Sequence, residues 1–347
     1  MDNLDLKSPY PYFGGKGAVA AEVWRRFGDI ANYVEPFFGS GAVLLSRPRG
    51  ADGIETVNDL NGFVANFWRA LAADPDAVAY HADWPANEND LHARHAWLVG
   101  QKDSMQARLE GDPEYYDTRI AGWWVWGMAC WIGSGFCSGK GPWQVVQQAE
   151  GQPAELVRTS NAGQGVQRQL PHLGNAGQGV QRQRPHLGNA GPGVQRKRLR
   201  QDLYDYLRSL SERLKRVRVS CGDWSRICGP SVTTHNGLTG VFLDPPYDLS
   251  LRHKTIYSTD SPGVAIAVRE WAIRNGNNRL LRIALCGYDG EHVLPKGWKM
   301  FEWKTRGGMG NTSKAEKKSR GKSNRTQERI WFSPHCLIPQ PGLFDGE

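Results

Sequence analysis

Residues 32–41 read NYVEPFFGSG, and this stretch decides the fold class. We predict a strand from about Asn32 to Glu35 that runs into a glycine turn ending at Gly41. A helix follows the turn, and a second strand ends at Asp59. Because a strand, a turn, a helix and a second strand in this order require a parallel sheet, the sequence predicts an α/β fold.

The rest of the sheet lies far along the chain. The pattern from Phe63 to Trp131 is helical, and strand signals return only after residue 216. We therefore interpret residues 63–198 as an insertion into a sheet domain of residues 1–62 and 199–338, with a flexible tail at residues 339–347. The other expected elements are helices at Ala18–Phe27 and Val264–Arg274, a helix with Leu203, Leu207, Leu210 and Leu214 on one face, and strands at Val217–Cys221, Gly240–Leu243, Leu280–Cys286, Trp298–Lys304 and Glu328–Ser333.

The insertion contains a tandem repeat with a period of 14 residues. NAGQGVQRQLPHLG begins at Asn161, a near copy begins at Asn175, and a partial copy begins at Asn189. No acidic residue occurs between Glu155 and Asp202. This composition predicts a basic, mobile arm, and an expansion of a tolerant loop is the alternative. The candidate DNA-binding residues are Lys140, Arg168, Arg182 and Arg196.

The composition narrows the possible classes of protein. The 43 lysines and arginines exceed the 35 acidic residues by 8 charges, which is compatible with nucleic-acid binding. No stretch is long and apolar enough to span a membrane, and the N-terminus lacks a signal-peptide core. The six cysteines form no Cys-x-x-Cys pair, so no metal site is predicted, and free thiols fit a reducing cytoplasm.

Asp244-Pro245-Pro246-Tyr247 carries the most specific chemistry. An exocyclic amine conjugated with its ring is a poor nucleophile, so it needs acceptors that hold its protons and direct its lone pair. The Asp244 carboxylate and the Pro245 carbonyl can be these acceptors, and the two prolines stiffen the turn. Tyr247 offers a flat face to an extruded base. The motif follows a predicted strand, where open α/β sheets bind ligands, although an ordinary proline turn is the alternative.

Two positions after the first strands are candidates for cofactor binding. Glycines such as Gly39, next to Phe38, let the backbone approach a cofactor closely. The dinucleotide pattern is incomplete, because Leu44 stands where its third glycine is expected. Asp59 closes the second strand and can accept hydrogen bonds from the two hydroxyls of a ribose, and a helix N-cap is its alternative role.

Two further stretches are weaker candidates for the same pocket. Lys16, in a glycine-rich loop, could reach a carboxylate or a phosphate, and Tyr12 could cover a purine. Asp223 follows the predicted strand Val217–Cys221 and could accept a hydrogen bond from an amino group of a cofactor. Each stretch by itself is also compatible with an ordinary surface loop.

Five motifs in one order resemble those of the Dam-like adenine-N6-specific DNA methyltransferases. The resemblance covers roughly residues 10–62 and 217–335, including the last strand from Glu328. The family usually has phenylalanine where this chain has Trp224. The motifs are Tyr-x-Gly-Gly-Lys from Tyr12, Glu-Pro-Phe-x-Gly-x-Gly from Glu35, Asn-Asp from Asn58, Gly-Asp-Trp from Gly222 and Asp-Pro-Pro-Tyr from Asp244.

The resemblance implies a Rossmann-like, seven-stranded methyltransferase sheet with an antiparallel last strand and an inserted, mainly helical target-recognition domain. It implies site-specific methyl transfer from S-adenosyl-L-methionine to N6 of an adenine flipped out of duplex DNA, in a protein of bacterial or phage origin. The implied catalytic residues are Asp244, Pro245, Pro246 and Tyr247, and the implied cofactor contacts are Tyr12, Lys16, Phe38, Gly39, Asp59, Asp223 and Asp244.

Other functions remain open at this point. N4-cytosine methylation uses a similar amine geometry, but those enzymes more often have serine at the position of Asp244. Methylation of a protein glutamine usually involves asparagine there. A DNA-binding module without catalysis is the alternative of a different class. C5-cytosine methylation is not expected, because the chain has no Pro-Cys dipeptide to supply the nucleophile.

The C-terminal tail suggests a protein partner besides DNA. Gln340-Pro341-Gly342-Leu343-Phe344 resembles the short peptides by which bacterial DNA enzymes attach to the replication sliding clamp. Packing of Leu343 and Phe344 on the catalytic domain is the alternative. We expect a monomer that binds double-stranded DNA and no membrane.

Overall fold

Nine strands and eight α-helices make up the part of the chain that the computed structural model describes, which comprises residues 6–10, 12, 15–48, 53–112, 114–131, 136–137, 143–146, 155–158, 196–247, 263–303 and 328–338. The strands are β1 (Asn32–Glu35), β2 (Ile54–Asp59), β3 (Trp143–Val146), β4 (Glu155–Arg158), β5 (Val217–Cys221), β6 (Thr239–Leu243), β7 (Leu281–Tyr288), β8 (Lys299–Glu302) and β9 (Glu328–Phe332). The helices are α1 (Ala20–Phe27), α2 (Ala42–Leu45), α3 (Gly62–Ala73), α4 (Pro75–Ala82), α5 (Glu88–Gly111), α6 (Thr118–Cys130), α7 (Arg196–Leu214) and α8 (Val264–Asn275).

Seven of the strands form one sheet in the order β5-β2-β1-β6-β7-β9-β8. Strands β5, β2, β1, β6 and β7 pair in parallel, and β9 is antiparallel to both β7 and β8. The seven-stranded α/β sheet with an antiparallel last strand is therefore confirmed. The predicted bounds of β1 and β5 are confirmed, and those of the other predicted strands and helices differ by one or two residues at some ends.

The sheet is buried on both faces because its strands are apolar on both sides. Tyr33 and Phe242 pack on one face with residues of α1. Val34, Val241 and Leu243 pack on the opposite face with residues of α8. Alternate residues of a strand point to opposite faces, so this division follows directly from the sequence. Near-continuous apolar strands of this kind are typical of parallel sheets covered by helices on both sides.

Between β2 and β5 the described chain is mainly helical, as the sequence predicts. Helices α3 to α6 enclose Trp68, Trp124 and Trp126, which are almost completely buried. Strands β3 and β4 form an antiparallel pair that the sequence did not predict. The division at residues 62 and 198 falls at the start of α3 and within α7, and the assignment of a separate recognition domain stays a prediction. No described helix is both long and apolar enough to cross a bilayer.

Helix α7 brings the chain back to the sheet through a buried ion-pair triad. Its leucines at 203, 207, 210 and 214 are all buried, as their spacing predicts. Arg213 Nη1 lies 2.7 Å from Glu55 Oε2, and Arg47 Nη1 lies 2.9 Å from Glu55 Oε1. Removing one member of a buried ion pair typically destabilises a fold by about 3–5 kcal/mol, so this triad holds α7 firmly on β2.

Candidate functional site

A cleft opens where the carboxyl ends of β1, β2, β5 and β6 meet at one edge of the sheet. The chain runs from β1 to β2 on one side, and β6 lies on the other side of β1, so this is the switch point where open α/β sheets bind ligands. All seven candidate cofactor residues line this one cleft, namely Tyr12, Lys16, Phe38, Gly39, Asp59, Asp223 and Asp244.

Gly39 forms the turn that follows β1. Its φ of 49° lies in the left-handed region, and a Cβ built there would lie 2.7 Å from Tyr12 Cε1. Its carbonyl accepts hydrogen bonds from the Tyr10 hydroxyl at 2.7 Å and from Trp68 Nε1 at 3.1 Å. Both the conformation and the close approach of Tyr12 therefore require glycine at this position.

Asp59 holds the same turn from the end of β2. Its Oδ2 accepts a hydrogen bond from the Gly39 amide and its Oδ1 one from the Asn61 amide, both at 2.8 Å. The N-cap of α3 is Asn61, whose side chain accepts from Phe63 N, so Asp59 stands before the cap and not at it. Burial raises the pKa of Asp59 to about 6, although the two amide hydrogen bonds act to lower it.

Asn58, near the end of β2, is bonded to the turn after β1 and to the end of β5. Its Nδ2 donates to the Pro36 carbonyl at 3.1 Å and to the Gly222 carbonyl at 2.9 Å, and its Oδ1 accepts from the Ser220 hydroxyl at 3.0 Å. Sequence reasoning quoted Asn58 within a motif but gave it no role. A buried amide at the end of an apolar strand is the signal that was available, because such a group must be hydrogen-bonded.

Aromatic rings and Asp223 form the wall of the cleft beyond β5. The Phe37 and Trp224 rings are stacked, with centroids 6.4 Å apart and planes at 25°. Asp223 Oδ1 accepts from the Ser225 amide at 2.9 Å, which begins the short 3₁₀ helix Trp224–Ile227. The Asp223 side chain is exposed, so it can also accept from a ligand.

The Asp244 carboxylate lies at the centre of a polar cluster. Its Oδ2 is 2.8 Å from Lys16 Nζ, and its Oδ1 accepts from the Tyr247 hydroxyl at 3.0 Å. The Lys16 ammonium also lies 5.4 Å from the centroid of the Tyr247 ring. Tyr247 is buried against Tyr288, and Pro245 is buried beside it, whereas Pro246 lines the cleft. The structure thus brings Lys16 and the Asp-Pro-Pro-Tyr motif into contact.

Two further acids at the site were given no role of their own in the sequence analysis. Glu35 lines the cleft and accepts from the Tyr33 hydroxyl at 2.8 Å, and burial raises its pKa well above the usual range. Glu328 Oε2 lies 3.9 Å from Lys16 Nζ, and burial raises its pKa while Lys16 lowers it. No group of three His, Cys, Asp or Glu side chains among the described residues is placed to hold a metal ion.

The candidate DNA-binding residues are not part of the described site. Lys140, Arg168 and Arg182 lie outside the described residues, as does the tail segment Gln340–Phe344. Arg196 is the first residue of α7. Their proposed contacts with DNA and with a clamp stay predictions.

Residues 12–98 match the family model of the D12 class N6 adenine-specific DNA methyltransferases. The match includes Tyr12, Lys16, the Gly39 turn and Asp59, and it ends before Asp244. No curated protein matches the chain. This segment is similar to the D12 class N6 adenine-specific DNA methyltransferases, and together with the seven-stranded sheet the similarity supports methylation of adenine N6 in DNA as the activity.

Proposed function

We propose that the cleft binds S-adenosyl-L-methionine and that Asp244 presents the amino group of a flipped-out adenine to it, at a specific site in duplex DNA. The observation that carries this proposal is the convergence of Tyr12, Lys16, Gly39, Asp59 and Asp244 on one cleft at the switch point of the sheet. Enzymes of this class are generally dependent on this cofactor.

The shape and polarity of the cleft fit the proposed cofactor. Because Gly39 has no Cβ, the Tyr12 ring lies directly against the turn after β1, and it is proposed to cover the purine of the cofactor there. Each Asp59 oxygen uses one lone pair on a backbone amide and keeps another for a ribose hydroxyl. Phe38, which lines the cleft, is proposed to contact the cofactor, and the exposed Asp223 carboxylate is proposed to accept from its adenine amino group.

The proposed chemistry is a direct in-line displacement. The bound cofactor supplies a methyl group activated by a sulfonium. Asp244 and the Pro245 carbonyl accept hydrogen bonds from the two N–H groups of the adenine amine, which directs its lone pair at the methyl carbon. The N–C bond would form as the methyl–sulfur bond breaks, and the nitrogen would then release one proton. The hydroxyl of Tyr247 orients the Asp244 carboxylate, and its ring is proposed to stack on the flipped base. Pro245 and Pro246 restrict the turn, so the two acceptors keep their relative positions.

Replacing Asp244 tests the proposed function. We expect Asp244→Ala to lower the rate of methyl transfer by about 10²–10³-fold, because a preorganised acceptor is removed. Transfer of tritium from labelled cofactor to DNA measures the rate, and sequencing that maps methylated bases identifies the product. The matched control is Asp76→Ala, which breaks an exposed pair with Arg208 and is expected to leave the rate unchanged. Transfer by Asp244→Ala near the wild-type rate would contradict the role of Asp244.

The pKa of Asp59 predicts a pH dependence of cofactor binding. Ribose hydroxyls donate to the ionised carboxylate, so affinity is full above the pKa of about 6 and is lost as the pH falls through it. Calorimetric titration from pH 5 to pH 8 (about one unit below that pKa to two units above) should show the dissociation constant rising towards tenfold per unit below pH 6.

Asp59→Asn provides the control for this pH dependence. The variant should bind the cofactor more weakly at neutral pH and show no dependence around pH 6. The Tyr10 hydroxyl and the Cys221 thiol also interact with Asp59, but burial raises both of their pKa values and they stay neutral in this range. Glu35 also lines the cleft, interacts electrostatically with Asp59 and has a pKa that burial raises. A pH dependence that persists in Asp59→Asn would therefore be assigned to Glu35 instead.

The basic repeats are proposed to contact DNA phosphates within an inserted target-recognition region of residues 63–198, together with Lys140 and Arg196. Deleting residues 161–188 removes three arginines, and it should reduce the salt slope of DNA binding by at most about 3 while leaving the methylated sequence unchanged. A glycine–serine segment of equal length is the matched control for chain length. A change in the methylated sequence would show that the repeats take part in base recognition.

The tail Gln340–Phe344 is proposed to attach the enzyme, as a monomer, to a replication sliding clamp. Tethering raises the local concentration of the enzyme on newly made DNA. Purified bacterial clamp should be retained by the wild type at micromolar concentration and not by the Leu343→Ala, Phe344→Ala double variant. No retention by the wild type would leave the tail without this role, and light scattering of the free enzyme tests the monomer.

A further inference from the structure

Lys16 lies between two carboxylates, and one of them has no part in the proposed chemistry. Its Nζ is 2.8 Å from Asp244 Oδ2 and 3.9 Å from Glu328 Oε2. The three side chains are largely shielded from water, with exposed fractions of 5% for Lys16, 17% for Asp244 and 16% for Glu328. A shielded ammonium needs a carboxylate partner, and here a second one stands about 1 Å beyond hydrogen-bonding distance.

The contact between Lys16 and Asp244 opposes the reaction in which Asp244 is proposed to act. During transfer, positive charge moves from the sulfonium onto the adenine amino group, and the Asp244 carboxylate stabilises it. While Lys16 is bonded to Asp244, its ammonium repels the positive charge that develops on the adenine amino group. It also occupies a lone pair of the Asp244 carboxylate that could otherwise accept from the adenine. The reaction therefore benefits if Lys16 shifts away from Asp244 when the adenine enters.

We propose that Glu328 is a positioning residue that receives the Lys16 ammonium when the amino group of the target adenine binds to Asp244. This inference rests on the proposed function of Asp244. A shift of about 1 Å carries Lys16 Nζ from 3.9 Å into hydrogen-bonding distance of Glu328. In the structure the ammonium lies 5.4 Å from the centroid of the Tyr247 ring, which is a favourable contact for its charge.

The fold keeps Glu328 in place for this role. Glu328 is the first residue of β9, and its register partner on β7 is Tyr288. The Tyr288 ring packs on the Tyr247 ring at 4.6 Å, so the strand that carries Glu328 is tied to the motif that carries Asp244. Burial raises the pKa of Glu328 while Lys16 lowers it, so closer approach of Lys16 favours the ionised carboxylate.

The test is the steady-state kinetics of Glu328→Gln, which keeps the shape and removes the charge. We expect kcat to fall by about tenfold or more with little change in the KM for DNA, because Lys16 then stays on Asp244 in the bound complex. The matched control is Glu302→Gln on the neighbouring strand β8, whose carboxylate is 63% exposed and faces Arg329, and its kcat should equal that of the wild type.

A double-variant cycle with Lys16→Met separates positioning from a structural effect. If Glu328 acts through Lys16, adding Glu328→Gln to Lys16→Met should cause no further loss of kcat. Additive losses would overturn the proposal. Glu328→Asp keeps the charge on a shorter side chain and should retain more activity than Glu328→Gln, which provides a comparison if the glutamine variant unfolds.

The outcomes also separate this inference from the proposed function. Wild-type turnover together with a Glu328→Gln kcat equal to wild type would overturn the role of Glu328 alone. A wild-type enzyme that neither binds the cofactor nor transfers methyl groups would overturn both. Loss of kcat in Glu328→Gln with an unchanged KM and a non-additive cycle supports the positioning role.

Discussion

The hydrogen bonds of the buried Asn58 amide are the interaction on which the rest of the site depends. Its amide nitrogen binds the carbonyls of Pro36 and Gly222, and its oxygen accepts from Ser220. An unpaired amide in this position would be costly, so the loops after β1 and β5 are drawn to the end of β2. Asp59 is thereby placed to bind the Gly39 amide. One residue of β2 thus holds the loops after β1 and β5 close together, and the cleft lies between them.

The site concentrates ionisable groups that the protein shields from water. Lys16, Glu35 and Glu328 lie close to Asp244, and burial raises the pKa of both glutamates. Burial makes the ionised forms of Glu35 and Glu328 less stable here than in water, unless a partner of opposite charge is near. Perturbed groups of this kind cluster at functional sites, where interactions are arranged for a reaction and not for the stability of the fold. The surrounding sheet, with both faces buried, supplies the stability that such a site requires.

Much of the fold could be predicted from the sequence, because local patterns determine it. The glycine turn after β1 and the apolar strands have clear local signals, and the leucine spacing of α7 predicts its buried face. The pair β3 and β4 has four residues in each strand and little local signal, so it was missed. The helix cap at Asn61 was also missed, because Asp59 two residues earlier is an equally good capping residue in sequence terms.

The candidate site was only partly predictable, for a physical reason. Tyr12, Gly39, Asp59 and Asp244 belong to short motifs, and their convergence follows from strand order. Glu328 reaches the site only because β9 inserts antiparallel between β7 and β8, which no local pattern near Glu328 specifies. Likewise, the ion pair between Lys16 and Asp244 joins residues more than two hundred positions apart. Such contacts depend on the assembled sheet and not on neighbouring residues.

The carbonyl of Gly39 receives hydrogen bonds from Tyr10, near the start of the chain, and from Trp68, on α3. Three segments that are distant in sequence therefore meet in a junction at the cleft, namely the N-terminal segment, the Gly39 turn and α3. The shape of the cleft depends on whether all three are docked. Binding equilibria that share such a junction are linked reciprocally. Suppose that docking of the N-terminal segment and of α3 strengthens the binding of a ligand at the Gly39 turn by a certain free energy. The bound ligand must then stabilise their docking by the same free energy. The junction thus couples occupancy of the cleft to the order of residues that never touch the ligand.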